Sequence, residues 1–287
     1  MENMHTTEVV KGVVALDQGT KEAGAIVWWR MSGDTARADL LAAYQAAGLD
    51  EKEIWGDVGP GTALRRAMGA LAEKRRLVRP LEKRGRWALV SETVVDGEMT
   101  HATMATVSLG DNDHPQMTPV IPDLLQTVLD GFDYYTRVWT TDDVASWLTY
   151  RALSSCNAVT LRDTGGVYFI PRTTLDLWRR VVGALRSCSG ARVFEVPALA
   201  SDEAVASILD AVEREATSAA AAMEDELMEA DLGARALRNR AETCAAVARK
   251  VQSYEALLGA KLDVLRDRLE NLHGQLAAAA LAAKDGE

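Results

Sequence analysis

Thirteen consecutive residues carry the strongest chemical signal in the chain. Lys74, Arg75, Arg76, Arg79, Lys83, Arg84 and Arg86 surround a single acid, Glu82, which gives the segment a net charge of +6. The whole chain sums to −10, so everything else carries −16. Guanidinium and ammonium groups at this density attract phosphates or carboxylates. Trp87 follows directly and is a candidate for stacking on a base. The acid excess elsewhere repels a polyanion, so any contact with DNA is expected to be local to this segment. An acidic protein surface is the competing partner for the same charges.

The remaining candidates have ordinary explanations. Gly59-Pro60-Gly61-Thr62 precedes a helix and offers backbone N–H groups to an anion, but it lacks the Gly-Lys-Ser/Thr of a phosphate loop and reads as a helix start. Asp111-Asn112-Asp113-His114 offers oxygen and imidazole ligands without the later bidentate Glu of a calcium loop. His5, His101, His114 and His273 fall at no metal-ligand spacing. Cys156, Cys188 and Cys244 are odd in number and far apart, which points to neither a zinc site nor a disulfide framework. Three free thiols suit a reducing cytoplasm. No Gly-x-Ser-x-Gly elbow occurs, and no two carboxylates can be paired for acid–base work. The expectation is a non-enzymatic protein with no cofactor and no metal. Trp28, Trp29, Trp139, Trp147 and Trp178 sit at inward-looking positions and are expected in the core.

Composition sets the frame for these residues. A chain of 287 residues, 48% hydrophobic and 26% charged, is long enough for one large domain or two ordinary ones. No run of about 18 apolar residues is present, so no membrane span is expected. Met1 to Glu8 lacks the basic-then-apolar pattern of a signal segment.

Local patterns predict the elements that hold the candidates. Two strands are expected near Val9–Asp17 and Gly24–Met31, then a helix over Thr35–Ala47 closed by Gly48. A helix from Thr62 to Arg75 follows, with Leu64, Ala67, Met68 and Leu71 on one face. Leu77–Leu81 and Arg86–Val90 read as a hairpin. Helix then hairpin is the local grammar of a winged helix, with the basic segment as its wing. Strand is expected within Thr93–Leu109, a loop over Gly110–Pro119, and a helix over Pro122–Val138. The grammar then recurs: helix Val144–Ser155, strands Ala158–Leu161 and Val167–Ile170. A shift of 81 residues superposes the two units, placing Leu77 on Ala158 and Trp87 on Tyr168. A helix over Thr173–Leu185 and a strand over Arg192–Val196 complete the region.

From Ser201 the pattern becomes purely helical. Its seam includes Val247, Val251, Tyr254, Leu258, Leu262, Leu265, Leu269, Leu272 and Leu276, spaced by threes and fours. The paired fours at Tyr254–Leu258–Leu262 read as a coiled-coil stutter. One continuous helix fits the register, but at about 80 residues it spans about 120 Å and exposes the seam. Covering the seam favours a hairpin turned at Gly233, or pairing with another chain.

Two stretches carry a resemblance. Leu232-Gly233-Ala234-Arg235-Ala236-Leu237 with Tyr254-Glu255-Ala256-Leu257-Leu258-Gly259 and Leu262, and the hairpin Gly165-Gly166-Val167-Tyr168-Phe169-Ile170-Pro171, resemble uncharacterised bacterial, archaeal and phage proteins. The likeness spans roughly residues 140–280, and it implies no activity. The expected fold is α+β: helix–hairpin, winged-helix-like units over 1–110 and 111–200, then a long helical arm over 201–287. The expected function is assembly or adaptor work, the arm serving oligomerisation or partner binding. Nucleic-acid binding through the hairpin 74–86 is the alternative.

Overall fold

A computed structural model describes residues 22–285 other than 74, 82–84, 97, 230 and 231. The strand expected at Val9–Asp17 lies outside these residues. The first half runs through the strands Glu22–Arg30 (β1) and Thr35–Ala36 (β2), then the helices Arg37–Ala46 (α1) and Pro60–Ala70 (α2). Four strands follow, Arg76–Pro80 (β3), Arg86–Val95 (β4), Glu98–Leu109 (β5) and Pro115–Thr118 (β6), and then the helix Pro122–Arg137 (α3). Strand Val138–Trp139 (β7) leads into Thr141–Trp147 (α4), which continues through a π-helical turn into Leu153–Ser155 (α5). Strands Val159–Thr160 (β8) and Tyr168–Pro171 (β9) precede helix Leu175–Cys188 (α6) and strand Arg192–Leu199 (β10). Three long helices close the chain: Asp202–Glu229 (α7), Ala234–Leu258 (α8) and Asp263–Asp285 (α9).

Contacts divide the chain into two compact units, both discontinuous in sequence. One holds the described parts of Met1–Val27, Asn157–Leu175 and Glu195–Glu287; the other holds Trp28–Cys156 and Asp176–Phe194. These are not the divisions expected at 110/111 and 200/201. The first falls just beyond β5, and β6, on its far side, pairs with β5, Val107 opposite Met117. The second would separate three helices from strands that share their core.

In the second unit, β3 to β6 form an antiparallel meander in sequence order. The alternation explains its two faces. Leu89, Ala105, Val107 and Met117 are buried against Ala63, Leu64, Ala67 and Met68 of α2 and against Val128 and Phe132 of α3. The hairpin expected as a wing is therefore the first half of a four-stranded sheet. β6 lies where a loop was expected; its apolar content is two buried residues, Pro115 and Met117, too short a pattern to read as strand. α4 begins at Thr141, three residues before the expected Val144. The Thr140 N–H and hydroxyl both donate to Asp143 Oδ2 at 2.9 Å, and Arg66 Nη2 donates to Asp143 Oδ1 at 2.7 Å. Burial raises the Asp143 carboxyl, but these donors outweigh it and hold it below the ordinary carboxylate range.

In the first unit, β9 pairs antiparallel with both β1 and β8 in the sheet order β10-β1-β9-β8. The recurrence of helix and hairpin at 81 residues thus ends in a different sheet context from the first hairpin. The three long helices pack with Ala23, Val159 and Phe169 of these strands in one core. The arm is therefore neither one helix nor a two-helix hairpin. Gly233 begins α8, as the hairpin reading required, but a second break follows. Gly259 takes a left-handed φ of 68° and its N–H bonds the Glu255 carbonyl at 2.9 Å, the usual way a helix stops. The apparent stutter at Leu258 and Leu262 is this turn.

Candidate interaction surfaces

Each residue singled out in the sequence now has a place. In the basic segment, Lys74, Lys83 and Arg84 lie outside the described residues. Arg75 is exposed, and its carbonyl accepts the Glu92 N–H at 2.9 Å. Arg76 is turned to the helix side of the sheet. Its Nε donates to the Leu71 carbonyl at 2.8 Å and its Nη2 meets Glu73 Oε1 at 2.5 Å. It closes the end of α2 and its charge is already matched.

Arg79 and Arg86 are exposed on the opposite face. Strand register places Arg79 opposite Ala88, Ala88 opposite Thr106, and Thr106 opposite Thr118. The next row joins Arg86, Ser108 and Gln116. Among the described residues no carboxylate pairs with Arg79 or Arg86. Trp87 is not at a stacking tip. It alternates to the helix side, half-buried against the core cluster, with its indole N–H buried and without a hydrogen-bond acceptor among the described residues. The rings of Trp139, Trp147 and Trp178 are buried as expected.

The nine seam residues come together, but inside the chain. Val251, Tyr254, Leu265, Leu269, Leu272 and Leu276 are buried, and Val247, Leu258 and Leu262 pack on them half-buried. Tyr254 donates its hydroxyl to the Asn157 carbonyl at 2.8 Å, and burial raises its phenol above the ordinary tyrosine value. The seam is used up by the three-helix core.

A surface that the sequence reading missed lies between α8 and α9. An open groove of about 670 Å³ runs along their shared face. Ala241, Ala245, Ala277 and Ala280 line it with the exposed Leu281 at one end, and Arg238, Arg249 and Lys284 stand around it with His273 and one acid, Glu242. From Arg238 to Arg249 it follows three helical turns, about 16 Å. Several other bases of the bundle are matched. Arg268 holds Glu224 through two bonds of 2.9 and 2.5 Å, drawing that carboxyl below its usual range, Arg240 meets Glu226 at 2.5 Å, and Lys250 meets Glu215 at 2.5 Å. Arg249 and Lys284 have no such carboxylate among the described residues. Alanines at four-residue and three-residue spacing were the available signal, and they read as helix propensity rather than as a surface.

The loop 111–114 is a tight turn in which the His114 N–H bonds Asn112 Oδ1 at 3.3 Å. Gly59 accepts the first N–H groups of α2, an ordinary start. No group of three or more metal-ligating side chains is found among the described residues, and no described helix is long and apolar enough to cross a membrane. No curated protein and no solved structure matches the chain. The chain belongs to a family of unknown function, DUF6744, whose profile matches residues 23–285.

Proposed function

We propose that this member of DUF6744 is a non-enzymatic adaptor or assembly protein that binds a partner helix with its helical arm. The observation that carries the reading is the groove between α8 and α9. Its alanine lining lets another helix approach to about 8–10 Å between axes. Its unmatched cations, Arg249 and Lys284 with Arg238, favour carboxylates on both flanks of that helix. The partner is therefore an acidic amphipathic helix that completes a four-helix packing. The seam itself plays no part, because its residues already fill the core of the monomer.

Peptide titration of the full chain tests this. One synthetic helical peptide carries an Ala/Leu ridge flanked by Glu; its counterpart carries Lys in place of Glu. Saturable binding of the Glu peptide is expected, with the preference passing to the Lys peptide in the Arg249→Glu/Lys284→Glu variant. Equal binding of both peptides, or none, rejects the reading.

A further inference from the structure

We infer that the open face of the β3–β6 sheet is a second binding surface, built for the phosphate backbone of duplex nucleic acid. This does not rest on the adaptor reading; a different unit carries it. One face of the sheet is covered by α2 and α3. The other carries Arg79, Arg86, Gln116 and Thr118 exposed at one end, around a buried Ala88, and the apolar pair Val94 and Met99 at the far end. Arg79 and Arg86 sit on adjacent strands of this face as diagonal neighbours, about 7–8 Å apart at the backbone. No described carboxylate neutralises either one. The contrast with Arg76 is informative, since that residue belongs to the same basic segment but is engaged by Glu73 and the Leu71 carbonyl.

Beside the two guanidiniums, the rows of the sheet set out Ser108, Gln116 and Thr118. Hydroxyl and amide donors next to arginine are the groups that hold phosphate oxygens. The acid on this face, Glu92, lies six residues along β4 from Arg86, about 20 Å away. It is opposite His101, whose Nδ1 is 3.6 Å from its carboxylate. Asp111 and Asp113 stand in the β5–β6 turn at Arg86's own end of the sheet, so the positive potential is local to the two guanidiniums.

What the surface lacks also defines its ligand. Trp87 points to the helices, and among the described residues no Trp, Tyr or Phe of β3 to β6 stands on the open side; the His101 imidazole lies beside Glu92, about 20 Å from Arg86. Bases have nothing to stack on, so recognition is of charge and backbone without sequence preference. A duplex presents one phosphate per about 1.7 Å of axis against about 3.4 Å along a single strand. Duplex is therefore the tighter ligand.

The test is fluorescence anisotropy of the full chain with a labelled 20-bp duplex, a labelled oligo-dT of the same length, and poly-Glu as unlabelled competitor, at about 50 mM salt. Duplex is expected to bind, more tightly than oligo-dT, and to lose affinity linearly on a log–log salt plot. Arg79→Ala/Arg86→Ala is expected to make that slope shallower by about 1.8, at about 0.9 per phosphate released. Arg79→Lys/Arg86→Lys retains the charge and should retain most of the slope, which separates loss of contact from loss of fold. Absence of duplex binding, an unchanged slope in the alanine variant, or tighter binding of oligo-dT overturns the inference. Displacement of duplex by poly-Glu at matched charge also overturns it, and assigns the face to an acidic protein instead.

Discussion

Cys156, Tyr44 and Tyr254 are weak acids held where ionisation is disfavoured. Burial pushes the Cys156 thiol up to about 12 and raises both phenols above their ordinary value. A raised acid contributes stability that is complete below its unfolded pKa and is lost as pH rises toward the folded one. For Cys156 the window runs from about 9 to about 12, and the tyrosines add to it from about 10 upward. Melting temperature should hold level from pH 7 to about 8.5 and then fall steeply. Cys156→Ala/Tyr254→Phe should flatten the fall while costing about 1 kcal/mol at neutral pH for the lost Tyr254–Asn157 bond. An equally steep decline in the variant would show that these groups are not its cause. Legibility at this scale was uneven. The residue types of the basic segment were plain in the sequence, but which face each took was not. One strand alternates sides at every residue, so sequence spacing puts Arg79 and Arg86 opposite Arg76 and Trp87 only once register and the position of the helices are known. Local sequence contains neither.

The three long helices show what element-level periodicity reveals and where it misleads. The seam from Val247 to Leu276 predicted burial, and burial is found. Leu269→Ala should cost about 2–5 kcal/mol, because the residue is fully enclosed. Leu265→Asp/Leu269→Asp should cost more, since each carboxylate would lack a partner. Urea denaturation monitored by far-UV circular dichroism reads both; a loss under about 1 kcal/mol for Leu269→Ala would contradict the packing. Gly259→Ala should cost about 1–2 kcal/mol for its left-handed backbone, with little change in the native spectrum. The break at Gly259 escaped the sequence reading because spacings of four carry equally well through a stutter or across a short turn. Leu262 keeps its place on the apolar seam in either case. The same limit hid β6, whose four residues are too few to distinguish a strand from a loop.

At the scale of the whole molecule, the α+β class was evident from the order of patterns, while the partition was not. A change of composition at residue 201 marks a change of secondary structure, and from sequence it reads as a domain boundary. The core crosses it: Ala23, Val159 and Phe169 are buried together with Ile208, Leu237 and Leu269. A chain cut after residue 200 should therefore leave those strand residues uncovered and bind a hydrophobic dye, whereas two pieces that each folded alone would bind none. The family match over 23–285 spans both units.

The interleaved order of the units has a consequence for synthesis. β1 carries the apolar run Ala25-Ile26-Val27-Trp28-Trp29, and it leaves the ribosome long before its neighbour β9 exists. About 130 residues separate the first segment of its unit from the second, roughly 6–26 s at about 5–20 residues per second. Its cover of long helices arrives later still, after residue 202. During that interval β1 is a sticky, unpaired strand. The nascent chain should therefore depend on chaperones that hold exposed strands, and slower translation should increase that dependence.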